Sequence, residues 1–131
     1  MSTTTTPLVQ GVDFITIATS DLDASRKFYA EVLGLEPSIL YGDDPVGAEF
    51  ETGNLTLALL DSAKLGLDVK PNNHPIAFKV DDVHAAKAEL ESRGVEFSPD
   101  ILDSGVCHQA FFRDPDGNTL ALHHRYQPRE A

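Results

Sequence analysis

The sequence predicts an α+β fold in which two tandem βαβββ modules carry curved mixed sheets that form a cup, with the helices on its outer face. Three observations predict it: an internal repeat, alternating apolar runs, and a capped helix at the same place in each copy. Residues 12–34 match residues 73–94 in pattern, and Asp21 falls on Asp82, 61 residues further along. Self-similarity at one offset marks a duplicated supersecondary unit. Half a domain of this kind covers one apolar sheet face with a single helix, so two halves must pair to close a core. Their other sheet faces then surround a common hollow, the default place for a small ligand.

The elements follow in order. Residues 1–9 are a Thr-rich polar leader, expected to be disordered; they have neither the basic nor the apolar region of a secretory signal. Ile15 and Ile17 alternate with Phe14, Thr16 and Ala18, and in the second copy Ile76, Phe78 and Val80 alternate with Pro75, Ala77 and Lys79. Period-two alternation reads as a strand with unlike faces. Asp21 and Asp82 stand as N-caps before apolar residues at helical spacing: Leu22, Phe28, Tyr29, Val32 and Leu33 in one copy, Val83, Ala86 and Leu90 in the other. Gly34 and Gly94 supply the left-handed residue that ends each helix. Strands are then expected at 48–52 and 55–60 around Gly53-Asn54, and at 106–112 and 119–125 around Asp114-Pro115-Asp116-Gly117. Gly66, Pro71, Asn72 and Asn73 mark residues 62–73 as the connection. The chain thus reads as one domain over about 10–125, with modules at about 10–61 and 74–125 and a tail at 126–131.

Bulk composition bounds the function. A chain of 131 residues fits one domain with one core. No run of eighteen apolar residues is present, so no membrane partner is expected. Ten basic against twenty-one acidic side chains give a formal net charge of −11, which argues against nucleic acid as a partner and agrees with solubility or with cationic or neutral ligands. Cys107 is the single cysteine, which excludes an internal disulfide and fits a reducing, cytoplasmic location.

Three segments, in this order and spacing, resemble the vicinal oxygen chelate superfamily, the glyoxalase, bleomycin-resistance and dioxygenase-like proteins. They are Ser20-Asp21-Leu22 with Phe28-Tyr29 and Val32-Leu33-Gly34, then residues 76–82, then residues 112–118. The resemblance spans about residues 10–125. It implies the cup-shaped fold, a small organic molecule as partner, and a homodimer. It also implies where metal-using members keep a His, Glu or Gln ligand on each of four strands. The first position lies seven residues before the capping Asp21 and holds Phe14. Its counterpart before Asp82 holds Pro75, with His74 one residue away and so on the other strand face. The third falls on Ala58 and the last, four residues after Gly117, on Ala121.

None of these four side chains can ligate Zn²⁺, Mn²⁺, Ni²⁺ or Fe²⁺, which take imidazole, carboxylate or thiolate donors. The expectation is therefore a member of the metal-free branch, with no cofactor and no metal site, that binds and sequesters an antibiotic or metabolite. The alternative is a glyoxalase-like lyase or isomerase. It would be either metal-free through His123 or metal-dependent with displaced ligands drawn from His74, His108 and His123.

With those four positions facing the hollow, alternation adds Thr16, Thr56, Leu60, Ala77, Lys79, Thr119 and His123, and turns Leu120 and Leu122 to the helix side. The resemblance further implies that Cys107, Gln109 and Phe111 face inward. The expected ligand-binding set is thus Phe14, Thr16, Ala58, Leu60, Pro75, Cys107, Gln109, Phe111, Ala121 and His123. His123 is the one candidate catalytic residue, as a proton acceptor or donor; a solvated strand-end histidine beside His124 and Arg125 is the plainer account. Cys107 is a nucleophile only if a base or positive field lowers its pKa. His74 and His84 read as surface residues, and Asp43-Asp44 and Asp81-Asp82 as turn and cap.

Overall fold

Alternation sets the first strand of the computed structural model, which describes residues 8–128. Strand β1 (Phe14–Thr19) buries Ile17 and Thr19 on one face and leaves Phe14 and Thr16 open on the other. Helix α1 (Leu22–Lys27) starts where the Asp21 carboxylate accepts the Ala24 N–H at 3.1 Å, as an N-cap does. It widens into a π-helical turn, Phe28–Val32, and the chain reverses at Gly34 with φ 77°. Three strands follow, β2 (Glu36–Leu40), β3 (Gly47–Glu51) and β4 (Thr56–Asp61), then a short helix α2 (Ser62–Leu65) inside the connection.

The second half repeats the plan with β5 (Ile76–Lys79), α3 (Val83–Ser92), β6 (Leu102–Asp103), β7 (Cys107–Arg113) and β8 (Thr119–Arg125). Asp82 caps α3 by accepting the Ala85 N–H at 3.1 Å. Gly94, at φ 91°, ends it while the Val95 N–H returns to the Leu90 carbonyl. Residues 1–7 and 129–131, most of the expected leader and the end of the tail, lie outside the described residues.

The duplication is visible in topology. One mixed sheet runs β1-β4-β3-β2 and the other β5-β8-β7-β6; the first two strands of each are parallel and the rest antiparallel. The expectation that these sheets curve into a cup is corrected: they are two separate, open four-stranded sheets, neither strongly curled nor closed. Closure requires edge strands to pair, and β1, β2, β5 and β6 remain edges. Curvature also needs bulges, and the ladders carry one register shift, between Pro37 and Ile39.

The helix-side faces of both sheets meet in one core. Ile17, Tyr29, Phe50 and Leu59 from the first half join Val83, Phe112, Leu120 and Leu122 from the second. Burying each such side chain contributes about 1.5–3 kcal/mol. Polar contacts sew the halves together at the β7–β8 turn. The Asp114 carboxylate is buried and accepts the Tyr29 hydroxyl at 2.7 Å and the Asn118 side-chain amide at 2.8 Å. Asp116 accepts the Ser20 N–H at 2.9 Å and the Ser20 hydroxyl at 2.6 Å. Elsewhere the Arg93 guanidinium donates to the Val32 carbonyl at 2.7 Å.

Candidate small-molecule site

Strand register places the expected site residues in rows. On the first sheet Phe14, Thr56 and Glu51 form one row across three strands, and Thr16, Ala58 and Glu49 the next; Ala18, Leu60 and Gly47 complete the face. On the second sheet Ala77, Ala121 and Phe111 form one row, and Lys79, His123 and Gln109 the next, with Cys107 opposite Arg125. All these residues lie on the faces turned away from the helices. Phe112, Leu120 and Leu122 are buried on the helix side, which fixes the phase of Phe111 and of Ala121.

Their exposure differs widely. Phe14 is 60% exposed, and Thr16 and Pro75 are also exposed, while Ala58, Cys107 and Ala121 are buried and Leu60, Gln109, Phe111 and His123 half-buried. Neither of two large cavities among the described residues gathers them. One, about 910 Å³, runs between the halves beside β5, walled by Ile15, Leu35, Ile76, Phe78 and Leu90, and takes in only Pro75 of the expected set. A second, about 660 Å³, lies between Phe28, Phe97 and Arg93 and takes in only Phe111. The expected residues therefore form two patches, one on each sheet.

The four family donor positions fall where their side chains offer nothing to a metal ion: Phe14, Ala58, Pro75 and Ala121 all lack a donor atom. The displaced set fares no better. His108 pairs with His124 on the helix-side face and contacts Asp103 at 3.4 Å, whereas His123 pairs with Gln109 on the opposite face and His74 is exposed before β5. Among the described residues no three His, Cys, Asp or Glu side chains gather as a metal site would require.

Other expected roles resolve through partners. The Cys107 sulfur lies 3.1 Å from the Ser104 hydroxyl. The ring of His84 meets that of His108 edge-on, 5.3 Å between centroids, and the Tyr126 ring packs against His108 at a tilt of 38°. The Tyr126 hydroxyl donates to Asp103 at 2.6 Å and, with the Gly105 N–H, holds that carboxyl below the usual range.

Two carboxylates escaped the sequence reading of this face, Glu49 and Glu51. The alternation of Ala48 and Phe50 with Glu49 and Glu51 carries the pattern that would have found them. Glu51 is anchored by the Thr56 hydroxyl at 2.7 Å on one oxygen and the Ser38 hydroxyl at 2.7 Å on the other, and these hold its carboxyl below the ordinary range.

The sequence pattern of the Glyoxalase/Bleomycin resistance protein/Dioxygenase superfamily matches residues 11–122. The chain belongs to this superfamily. Its similarity to the glutathione transferase FosA of Serratia marcescens is 31% identity, covering 88% of this chain and 82% of that protein. It is 29% identical to the lactoylglutathione lyase of Schizosaccharomyces pombe over 93% of its own length, but spans only 50% of that lyase. Among solved structures, TnmS3, an antibiotic binding protein from Streptomyces sp. CB03234, superposes with a TM-score of 0.73. It is 25% identical, with 95% of this chain and 100% of that one covered. No helix among the described residues is long and apolar enough to cross a membrane.

Proposed function

We propose that this superfamily member binds a small organic molecule against the outward faces of its two sheets, without a metal ion at the family's donor positions, and so sequesters an antibiotic or a metabolite. The observation that carries the reading is the replacement of all four donor positions by Phe14, Ala58, Pro75 and Ala121. Carbon side chains there replace ligation with apolar contact, which suits the body of an organic ligand. The likeness to an antibiotic binding protein of nearly the same length supports it. A cytoplasmic homodimer belongs to the same proposal.

The second reading is a glyoxalase-type lyase or isomerase, and the names of the curated relatives favour it over the first. In this chain its metal-free form rests on His123, half-buried in the row with Lys79 and Gln109. A thermal-shift screen of antibiotics and metabolites, followed by turnover assays on every hit, separates the two. Sequestration predicts a raised melting temperature with the ligand recovered unchanged. Conversion of a hit that is lost in His123→Ala while binding persists establishes the lyase or isomerase instead.

A further inference from the structure

Each helix covers the middle of its sheet rather than the whole of it. Helix α1 packs over β3 and β4, and α3 over β7 and β8, the interior strands of the two sheets. A helix is about 10–12 Å wide with its side chains, whereas four strands span about 14 Å, so an edge strand lies at the limit of its reach. The core-side faces of the edge strands β1 and β5 are accordingly only half-buried: Ile15 on the first, Ile76 and Phe78 on the second, with Val80 just beyond.

These side chains line the cavity of about 910 Å³ that runs between the halves. Leu33 and Leu35 close it from the first half, Leu90 and Leu122 from the second. Volumes of this order, lined mainly by apolar side chains and set where two structural units meet, are typical of small-molecule sites. Two charged residues border it, and neither is free to meet a ligand inside. Glu89 pairs with Arg93 at 3.0 Å, and Lys79 alternates with Phe78 and so belongs to the outward face of β5. The polar groups of the rim are already partnered: the Thr52 hydroxyl donates to the Leu55 carbonyl at 2.7 Å, and the Asn72 side-chain oxygen accepts the His74 N–H at 2.7 Å. A charged ligand would lose its water there without gaining a counter-ion, whereas an apolar one gains contact on every wall.

We propose that the cavity between the halves is a binding site for an uncharged, largely apolar organic molecule. It lies on the helix side of both sheets, apart from the outward faces, and stands independently of the outward-face reading above.

The test uses two fluorescent dyes of one skeleton, the uncharged N-phenyl-1-naphthylamine and the anionic 8-anilino-1-naphthalenesulfonate, titrated into the full chain with and without isotope labelling for NMR. The uncharged dye is expected to saturate at one per chain, to bind about tenfold or more tightly than the sulfonate, and to shift amides of residues 76–80, of α3 and of 52–55. Ala86→Trp, which places an indole in the cavity from α3, should weaken it about tenfold or more. Thr16→Trp, on the outward face of β1, should leave it unchanged. The amide map of the parent protein decides the site even if Ala86→Trp fails to fold. Equal affinity for the two dyes, or no saturable binding of the uncharged one, overturns the proposal. Shifts confined to the outward-face rows, with binding lost in Thr16→Trp, overturn this site and leave the outward-face reading standing. Shifts at 76–80 and 52–55 that follow protein concentration and not dye show a second copy filling the cavity, which also overturns the proposal.

Discussion

The Tyr29 hydroxyl, from the π-helical turn of the first half, donates a 2.7 Å hydrogen bond to the Asp114 carboxylate of the second. Tyr29 is fully buried, and Asp114 is 6% exposed. Burial first, then the Asp114 charge and the hydrogen bond itself, push the phenol far above its ordinary range, so it stays a donor. Tyr29→Phe keeps the ring and removes the donor, leaving a buried carboxylate one partner short. We expect a loss of about 1–3 kcal/mol, read from the denaturant midpoint, with secondary structure unchanged. A midpoint equal to that of the parent would show that the bond does not hold the halves together.

Asp116 gives the same junction a pH dependence. Burial raises its carboxyl, but the hydrogen bonds from Ser20, Thr19 and Ser25 outweigh that and hold it below the usual range. A depressed folded-state pKa stabilises the fold above the unfolded value, about 3.9, and that contribution fades as the pH falls through the folded value. The melting temperature of the parent should therefore exceed that of Asp116→Asn near neutrality, and the gap should close below about pH 4. A gap that is constant over the whole range contradicts this.

Gly47 is required by close packing rather than by a turn. A Cβ there would sit 2.6 Å from the Tyr41 ring, 2.7 Å from the Leu59 carbonyl oxygen and 3.0 Å from Leu60. The carbonyl belongs to the β3–β4 ladder and cannot swing away. Gly47→Ala should cost about 1–3 kcal/mol, measured by chemical unfolding, whereas Gly11→Ala, with nothing within 4 Å, should change little.

Asp82 caps the ten-residue helix α3 through its bond to the Ala85 N–H. Asp82→Ala should lower stability by about 0.5–2 kcal/mol, and Asp82→Asn by less. Hydrogen exchange should quicken first at residues 83–86.

What could be read from the residues alone was local. The two aspartate caps, the helix-ending Gly34 and Gly94, and the phase that buries Leu120 and Leu122 while turning Ala121 away all follow from spacings of a few residues. Strand β2 went unread because Glu36-Pro37-Ser38-Ile39-Leu40 is exposed throughout and does not alternate; β6 has only two residues. Asp114 and Asp116 looked like hairpin chemistry, and their partners Tyr29 and Ser20 are too distant in sequence for any pattern to link them. The cup failed for a similar reason. Whether β1 and β5 close a wall depends on the relative placement of the halves, which no single segment encodes. The expected site residues on the strands fall on the sheet faces turned away from the helices, while the carboxylates Glu49 and Glu51 join that face only once the β3–β4 register is known.

Metal content tests most directly the proposal that this superfamily member holds no metal ion at the family's donor positions. Untagged protein should be assayed by elemental mass spectrometry, alongside thermal melts with Zn²⁺, Ni²⁺, Mn²⁺ and Fe²⁺. Well under one equivalent of any of these metals and no stabilising shift are expected. One tightly held metal ion per chain, with a melting temperature that falls on chelation, would contradict it.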